Sequence, residues 1–167
     1  MAKQIKYKDK YRIESTRLKR YDYSSNGVYY ITICTQNRKH YFGEIVEGKL
    51  HETEQSKICT LCWLDLPDYY NNCILDEFII MPNHVHGIII IENHDVVETV
   101  RYSLSEIVRG FKTFTAKKIN IFQNTQGKPL WQSRYYDHII CDESELYSIR
   151  EYIINNPINW KEDRNNI

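Results

Sequence analysis

The chain has no apolar run near the ~20 residues that a membrane helix needs, which excludes a helical membrane span. It has no internal repeat and no low-complexity segment. Cys59-Thr60-Leu61-Cys62 has no second Cys-x-x-Cys pair to complete a structural zinc site. The apolar neighbours Ile58, Leu61 and Trp63 instead predict two ordinary cysteines on a helix. Five cysteines, an odd number, without a signal-peptide pattern predict a reducing cytoplasm. Net charge is also absent: 22 basic residues face 22 acidic ones. As a total, that argues against a polyanionic partner.

The distribution of charge argues the other way. Residues 1–20 carry Lys3, Lys6, Lys8, Lys10, Arg12, Arg17, Lys19 and Arg20 against Asp9 and Glu14 alone. No acid occurs between Glu106 and Asp137, whereas Arg109, Lys112, Lys117, Lys118, Lys128 and Arg134 fall in that gap. The stretch from Asp22 to Glu106 is acidic and offsets both. Two basic surfaces on a neutral protein are expected, either merely solvated or gripping a polyanion. With 167 residues the chain is long enough for one domain with a sizeable core. Residues 1–25 read as a basic arm and residues 26–167 as a single domain.

Residues 28–35, β-branched and aromatic, predict a strand. Residues 41–50 predict a short hairpin turned at Glu47-Gly48. Residues 54–66 predict a helix stopped by Pro67. Two short isoleucine-rich runs, 74–81 and 85–92, are split by Pro82-Asn83 and predict a strand pair. Residues 103–120 form an amphipathic pattern with Leu104, Ile107, Val108, Phe111 and Thr115 on one face. Residues 130–140 predict a strand. Residues 142–156 predict a last helix, with Asp142 and Glu145 in capping-box spacing. The order predicts an α+β fold of ferredoxin-like type, an antiparallel sheet with helices packed on one face.

The strand pair contains His84 and His86, one residue apart among isoleucines. Strand side chains alternate, so both imidazoles point to one face, about 7 Å apart along the strand. Two imidazoles so placed can converge on one divalent metal, but they leave it short of ligands. The last helix offers more. Tyr152 and Asn156 stand four residues apart, on one flank beside the core stripe of Leu146, Ile149 and Ile153. Asn156 precedes Pro157, where the helix must end, so its amide can reach outward. A boundary tyrosine and a helix-ending Asn-Pro explain the same spacing equally simply, and both accounts stay open here.

Taken together, these segments resemble a known family. Met81-Pro82-Asn83-His84-Val85-His86 is similar to the His-hydrophobic-His motif of the HUH endonucleases. Tyr152-Ile153-Ile154-Asn155-Asn156 resembles the nucleophile helix of their single-tyrosine transposases. Residues 130–140, Arg20-Tyr21-Asp22-Tyr23 and the strand leading to Gln36-Asn37-Arg38 fit the same pattern. The resemblance runs from about residue 17 to residue 160 and points to the transposases associated with repetitive extragenic palindromes (REP). Cys141 departs from it, since relatives often carry an arginine there.

The resemblance implies a single-stranded DNA endonuclease that nicks and rejoins hairpin-flanked DNA through a 5′-phosphotyrosine. Tyr152 is then the nucleophile, and His84, His86 and Asn156 hold Mg²⁺ or Mn²⁺. Arg20, Arg109, Lys112, Lys117 and Arg134 are expected to contact DNA. Relatives work as monomers or as homodimers that exchange the nucleophile helix. Two alternatives remain: a hairpin-binding protein that no longer cuts, and a nucleotide hydrolase of the histidine-triad type. The second finds Ile88 where its third histidine belongs and leaves Tyr152 idle.

Overall fold

The computed structural model describes residues 21–94 and 100–166, with two short paired strands nearer the start, β1 (Lys6–Tyr7) and β2 (Lys10–Tyr11). Most of the expected basic arm, Arg20 included, lies outside the described residues. β3 (Gly27–Cys34) begins the main sheet. β4 (Gly43–Val46) and β5 (Lys49–Glu52) make the expected hairpin, with Glu47 and Gly48 at the turn, both at positive φ. α1 (Glu54–Leu64) starts at Thr53, whose hydroxyl accepts from the Ser56 N–H. Pro67 does not simply end this helix. It sits in the first turn of a short α2 (Leu66–Tyr69), where a missing N–H leaves no bond unmade.

β6 (Cys73–Met81) and β7 (His84–Ile91) pair across the Pro82-Asn83 turn. α3 (Leu104–Gln123) opens with a full capping box between Ser103 and Glu106. α4 (Glu143–Asn155) opens with half of one. Asp142 accepts from the Glu145 N–H, but the Glu145 carboxylate turns instead to the Cys141 N–H and to His138. Between the two helices only Tyr136–Ile140 forms a strand, β8, shorter than the expected 130–140. The reason is a change of register. Thr32 faces Tyr136 and Thr35 faces Trp131, so three steps along β3 are matched by five on its neighbour. The surplus residues loop out between Trp131 and Tyr136.

The four long strands form one antiparallel sheet in the order β6-β7-β3-β8. The α+β class is as expected, but the helices do not share one face. Tyr29, Ile31 and Ile33 of β3, with Val85 and Ile89 of β7, point into a core closed by Trp63 of α1 and Leu104, Ile107 and Phe111 of α3. Alternate residues of the same strands, Tyr30 and Ile88, point the other way and meet Ile149 and Ile153 of α4. Both faces of the two central strands are thus apolar enough to be covered, as their near-continuous hydrophobic runs allow. Each large side chain buried against α1 and α3 contributes about 1.5–3 kcal/mol. Gly87 marks the tightest approach in that core: a Cβ there would lie 2.3 Å from the ring of the fully buried Trp63.

Candidate active site

His84 and His86 are both fully buried and lie on the α4 face of β7, in phase as the strand period requires. Their orientation is fixed from behind. Asn83 gives its amide N–H groups to the Asn165 and Arg38 carbonyls, which turns its Oδ1 to His84 Nδ1 at 2.8 Å. An amide oxygen only accepts, so Nδ1 of His84 carries the proton and Nε2 keeps its lone pair. Nδ1 of His86 lies 2.8 Å from the Tyr30 hydroxyl and 2.9 Å from Thr32 Oγ1. The two Nε2 atoms then stand 2.9 Å apart, and Asp163 Oδ2 lies 3.9 Å from each.

Burial holds the His84 imidazole well below its ordinary pKa, and the neighbouring His86 adds to this. Burial likewise lowers His86. Both rings are therefore neutral at neutral pH. Burial pushes the Asp163 carboxyl up, but His86, the Asn165 backbone N–H and His84 outweigh it and hold the group below the usual carboxylate range. Two neutral imidazoles and a carboxylate thus face one point. Among the described residues, His84, His86 and Asp163 form a cluster able to hold a metal ion. Asp163 Oδ2 and the nearby Asn156 Oδ1 are both buried without a hydrogen-bond partner. An unsatisfied buried acceptor costs about 1–3 kcal/mol. A cation would satisfy these oxygens and the imidazole lone pairs together, so the residues present fit a divalent ion.

Asn156 caps the C-terminal end of α4 and is buried, while Tyr152, one turn earlier, is 42% exposed. The Tyr152 ring packs 5.4 Å from His86 and 6.4 Å from Tyr30, edge-on to both. Burial and the Asp163 charge raise the Tyr152 hydroxyl above its ordinary pKa, and Asn156, Arg164 and Tyr30 only partly offset this. The protein's own groups therefore keep the phenol protonated. Glu145, Ile149, Tyr152 and Asn156 line one side of a cleft of about 740 Å³, faced by Tyr30, Tyr136 and Asp163. Their spacing of four, three and four residues is one helical stripe. The cleft thus runs from the imidazole pair past Tyr152 to His138, whose Nε2 lies 2.6 Å from Glu145.

The other expected site residues scatter. Tyr136 lines the cleft, whereas Tyr135 is half-buried and packs toward the opposite core, as strand alternation requires. Tyr147 is exposed on another flank of α4. Arg109 and Lys117 are exposed on α3, across the sheet from the histidines. Lys112 gives its ammonium to the Gln132 and Ser133 carbonyls. Arg134 borders a second cleft beside the site.

Asp163 escaped the sequence reading because it follows the helix in an irregular segment that no periodicity ties to β7. That segment is held by Trp160, which stacks 5.9 Å from His84, and by Asn165 under Asn83. Tyr30 and Thr32 did carry a signal: they alternate on β3 in the phase that reaches the histidine face.

The family profile described as "Transposase IS200 like" matches residues 23–156. The chain belongs to the IS200-like transposase family. An uncharacterized protein of Haemophilus influenzae is 36% identical over 90% of this chain and 91% of its own length. The fold is similar to that of a REP-associated tyrosine transposase solved bound to a REP hairpin. That match has a TM-score of 0.64 at 18% identity and covers 87% of this chain and 74% of the other. A transposase-type protein of Deinococcus radiodurans matches with a TM-score of 0.50 at 19% identity, over 84% of this chain and 97% of that one. In this transposase the family match takes in His84, His86, Tyr152 and Asn156 and stops short of Asp163. No helix among the described residues is long and apolar enough to cross a membrane.

Proposed function

We propose that this transposase cuts and rejoins single-stranded DNA at the foot of a hairpin, with Tyr152 as nucleophile. The observation that carries this reading is the placement of an accessible tyrosine beside two imidazole Nε2 atoms that meet at one point. His84, His86 and Asn156 would hold a divalent cation, with Asp163 as a further donor. A set of nitrogen and oxygen donors without thiolate suits Mn²⁺ or Mg²⁺. When bound, such an ion polarises the scissile phosphate and stabilises the charge that develops on it.

The Tyr152 oxygen forms a bond to phosphorus, and the bond from phosphorus to the 3′ oxygen breaks. The phenolic proton is lost to solvent and the departing 3′ oxygen takes one up. The products are a 5′-phosphotyrosine and a free 3′-OH. The ester bond is kept rather than hydrolysed, so a second 3′-OH can attack it and rejoin the strand without ATP. Tyr30 and His86 pack against the ring and hold it toward the imidazole pair, which supplies the orientation such a step needs. Residues 26–167 serve as the catalytic domain and residues 1–25 as a DNA-gripping arm. Of the expected DNA contacts, Arg134 stands beside the site, whereas Arg109 and Lys117 would meet only DNA that wraps to the far face. This chemistry belongs in the cytoplasm, with its DNA.

The test uses a hairpin oligonucleotide with single-stranded flanks and Mn²⁺, read on a denaturing gel. The wild-type chain is expected to leave a covalent protein–DNA adduct. Tyr152→Phe keeps the ring and removes only the attacking oxygen, and is expected to cut adduct formation by at least about a thousandfold. An adduct that persists in that variant, or one mapped by mass spectrometry to Tyr136, overturns the assignment.

A further inference from the structure

A second cleft of about 380 Å³ adjoins the first and shares Tyr136 and Arg164 with it. The two differ in charge. Glu145, Glu162 and Asp163 line the first, with Arg164 as its one arginine. Arg38, Arg134 and Arg164 line the second, and no carboxylate does. Three guanidinium groups without an acid on the same walls are costly to bring together in a chain of zero net charge, unless an anion enters between them.

The walls are set by the fold rather than left to long side chains. Gln132 gives its backbone N–H to the Cys34 carbonyl and its side chain to the Thr35 carbonyl. Lys112 clamps the Gln132 and Ser133 carbonyls from α3. These bonds fix the looped-out segment that carries Arg134, and strand irregularities of this kind re-aim side chains beside functional sites. Arg38 lies in a tight turn at φ 54° and gives Nη1 to Asn165 Oδ1. Arg164 lies over the Tyr136 ring, 5.5 Å from its centroid. Both of these contacts are to neutral groups, so neither cancels the positive charge.

We infer that this cleft binds a backbone phosphate of the single strand, next along from the scissile one. Thr32 links the two places directly, since it lines this cleft and bonds His86 Nδ1. Tyr136, 47% exposed on the ridge between the clefts, offers a ring for the intervening base to stack on. The acidic cleft takes the cation and the basic cleft takes the anion, so a strand laid across the ridge meets both in register. Guanidinium forks suit this task, because they match phosphate oxygens in pairs. The inference rests on the reading of the site as a single-strand transposase.

Binding of a fluorescein-labelled, mixed-sequence 30-nucleotide single strand is measured by anisotropy across a salt series, with Mn²⁺ binding and thermal melting as controls. Each lost phosphate contact lowers the slope of log K against log[salt] by about 1. Arg134→Gln and Arg164→Gln are each expected to lower the slope by that amount and to keep the wild-type melting temperature and Mn²⁺ binding. A single neutral methylphosphonate walked along the strand is expected to weaken wild-type binding at one position and to have no further effect there in Arg134→Gln. Wild-type binding with slopes unchanged in both variants overturns this cleft alone and leaves the transposase reading standing. Absence of single-strand binding by the wild-type chain removes both.

Discussion

The two faces of the sheet are built from the same two strands and obey different rules. On the α1/α3 face, β3 and β7 present Ile31, Ile33, Val85 and Ile89 to a core with few polar atoms. On the α4 face the alternate positions present Tyr30, Thr32, His84 and His86, buried as deeply but joined by hydrogen bonds. One residue of register separates a position that holds the fold from one that carries out chemistry. A polar cluster can sit on a central strand because the opposite face of that strand supplies the stabilisation the cluster itself does not.

The comparison breaks most visibly through its apolar half. Phe111→Ala leaves a cavity against Trp63 and Trp131, ring neighbours at 5.2 and 5.6 Å. The expected cost is about 3–5 kcal/mol, read as a fall in melting temperature of roughly 6–20 °C. Metal affinity of the molecules that stay folded is expected to be unchanged, and its loss would show that the two faces are not separable.

The polar half responds to a ligand instead. Mn²⁺ at a hundred times its dissociation constant is expected to stabilise the chain by about 2.7 kcal/mol. His84→Ala removes that gain, and a full Mn²⁺-dependent shift in this variant would exclude the imidazole pair as the metal site. The smallest effect is that of acid. The imidazoles titrate near 6.5 when unfolded and lower when folded. Below about 6.5 the unfolded chain therefore binds protons that the folded chain refuses, and stability falls with pH. Each imidazole contributes at most about 1.4 kcal/mol per pH unit. Metal-free melting temperatures are expected to be level from pH 7 to 8 and to decline from 6.5 to 5. A flat profile through that range would mean that the folded imidazoles do take up protons.

The elements with strong periodicity were legible in the sequence. α3, with a capping box and an unbroken apolar stripe, starts where Ser103 says it should. The two isoleucine runs pair as expected, and the phase of His84 and His86 follows from the period of two alone. The division of helices between the faces was not legible, because continuous apolar strands read the same whether one side or both is covered. Tyr152 and Asn156 stood out because four residues make one helical turn. Asp163, Arg38 and Arg164 did not, since each sits in irregular chain brought to the site by contacts such as Trp160 on His84 and Asn165 under Asn83. The basic residues of α3 illustrate the opposite error. Their charge pattern is real, but sequence gives no sign of which side of a sheet a helix will cover.

The segment that ends in Asn165 gives the site a divided ancestry. Its histidines, tyrosine and amide lie inside regular elements whose drift is checked by packing on both sides. Asp163 and Arg164 hang from a few side-chain anchors outside the family match. Mutations that lengthen or shorten this tail leave the core untouched, so selection can retune the charge at the mouth of the site without redesigning its interior. Lineages of such enzymes are therefore expected to diverge first at this rim, and two members with identical motifs can differ in the strands they accept.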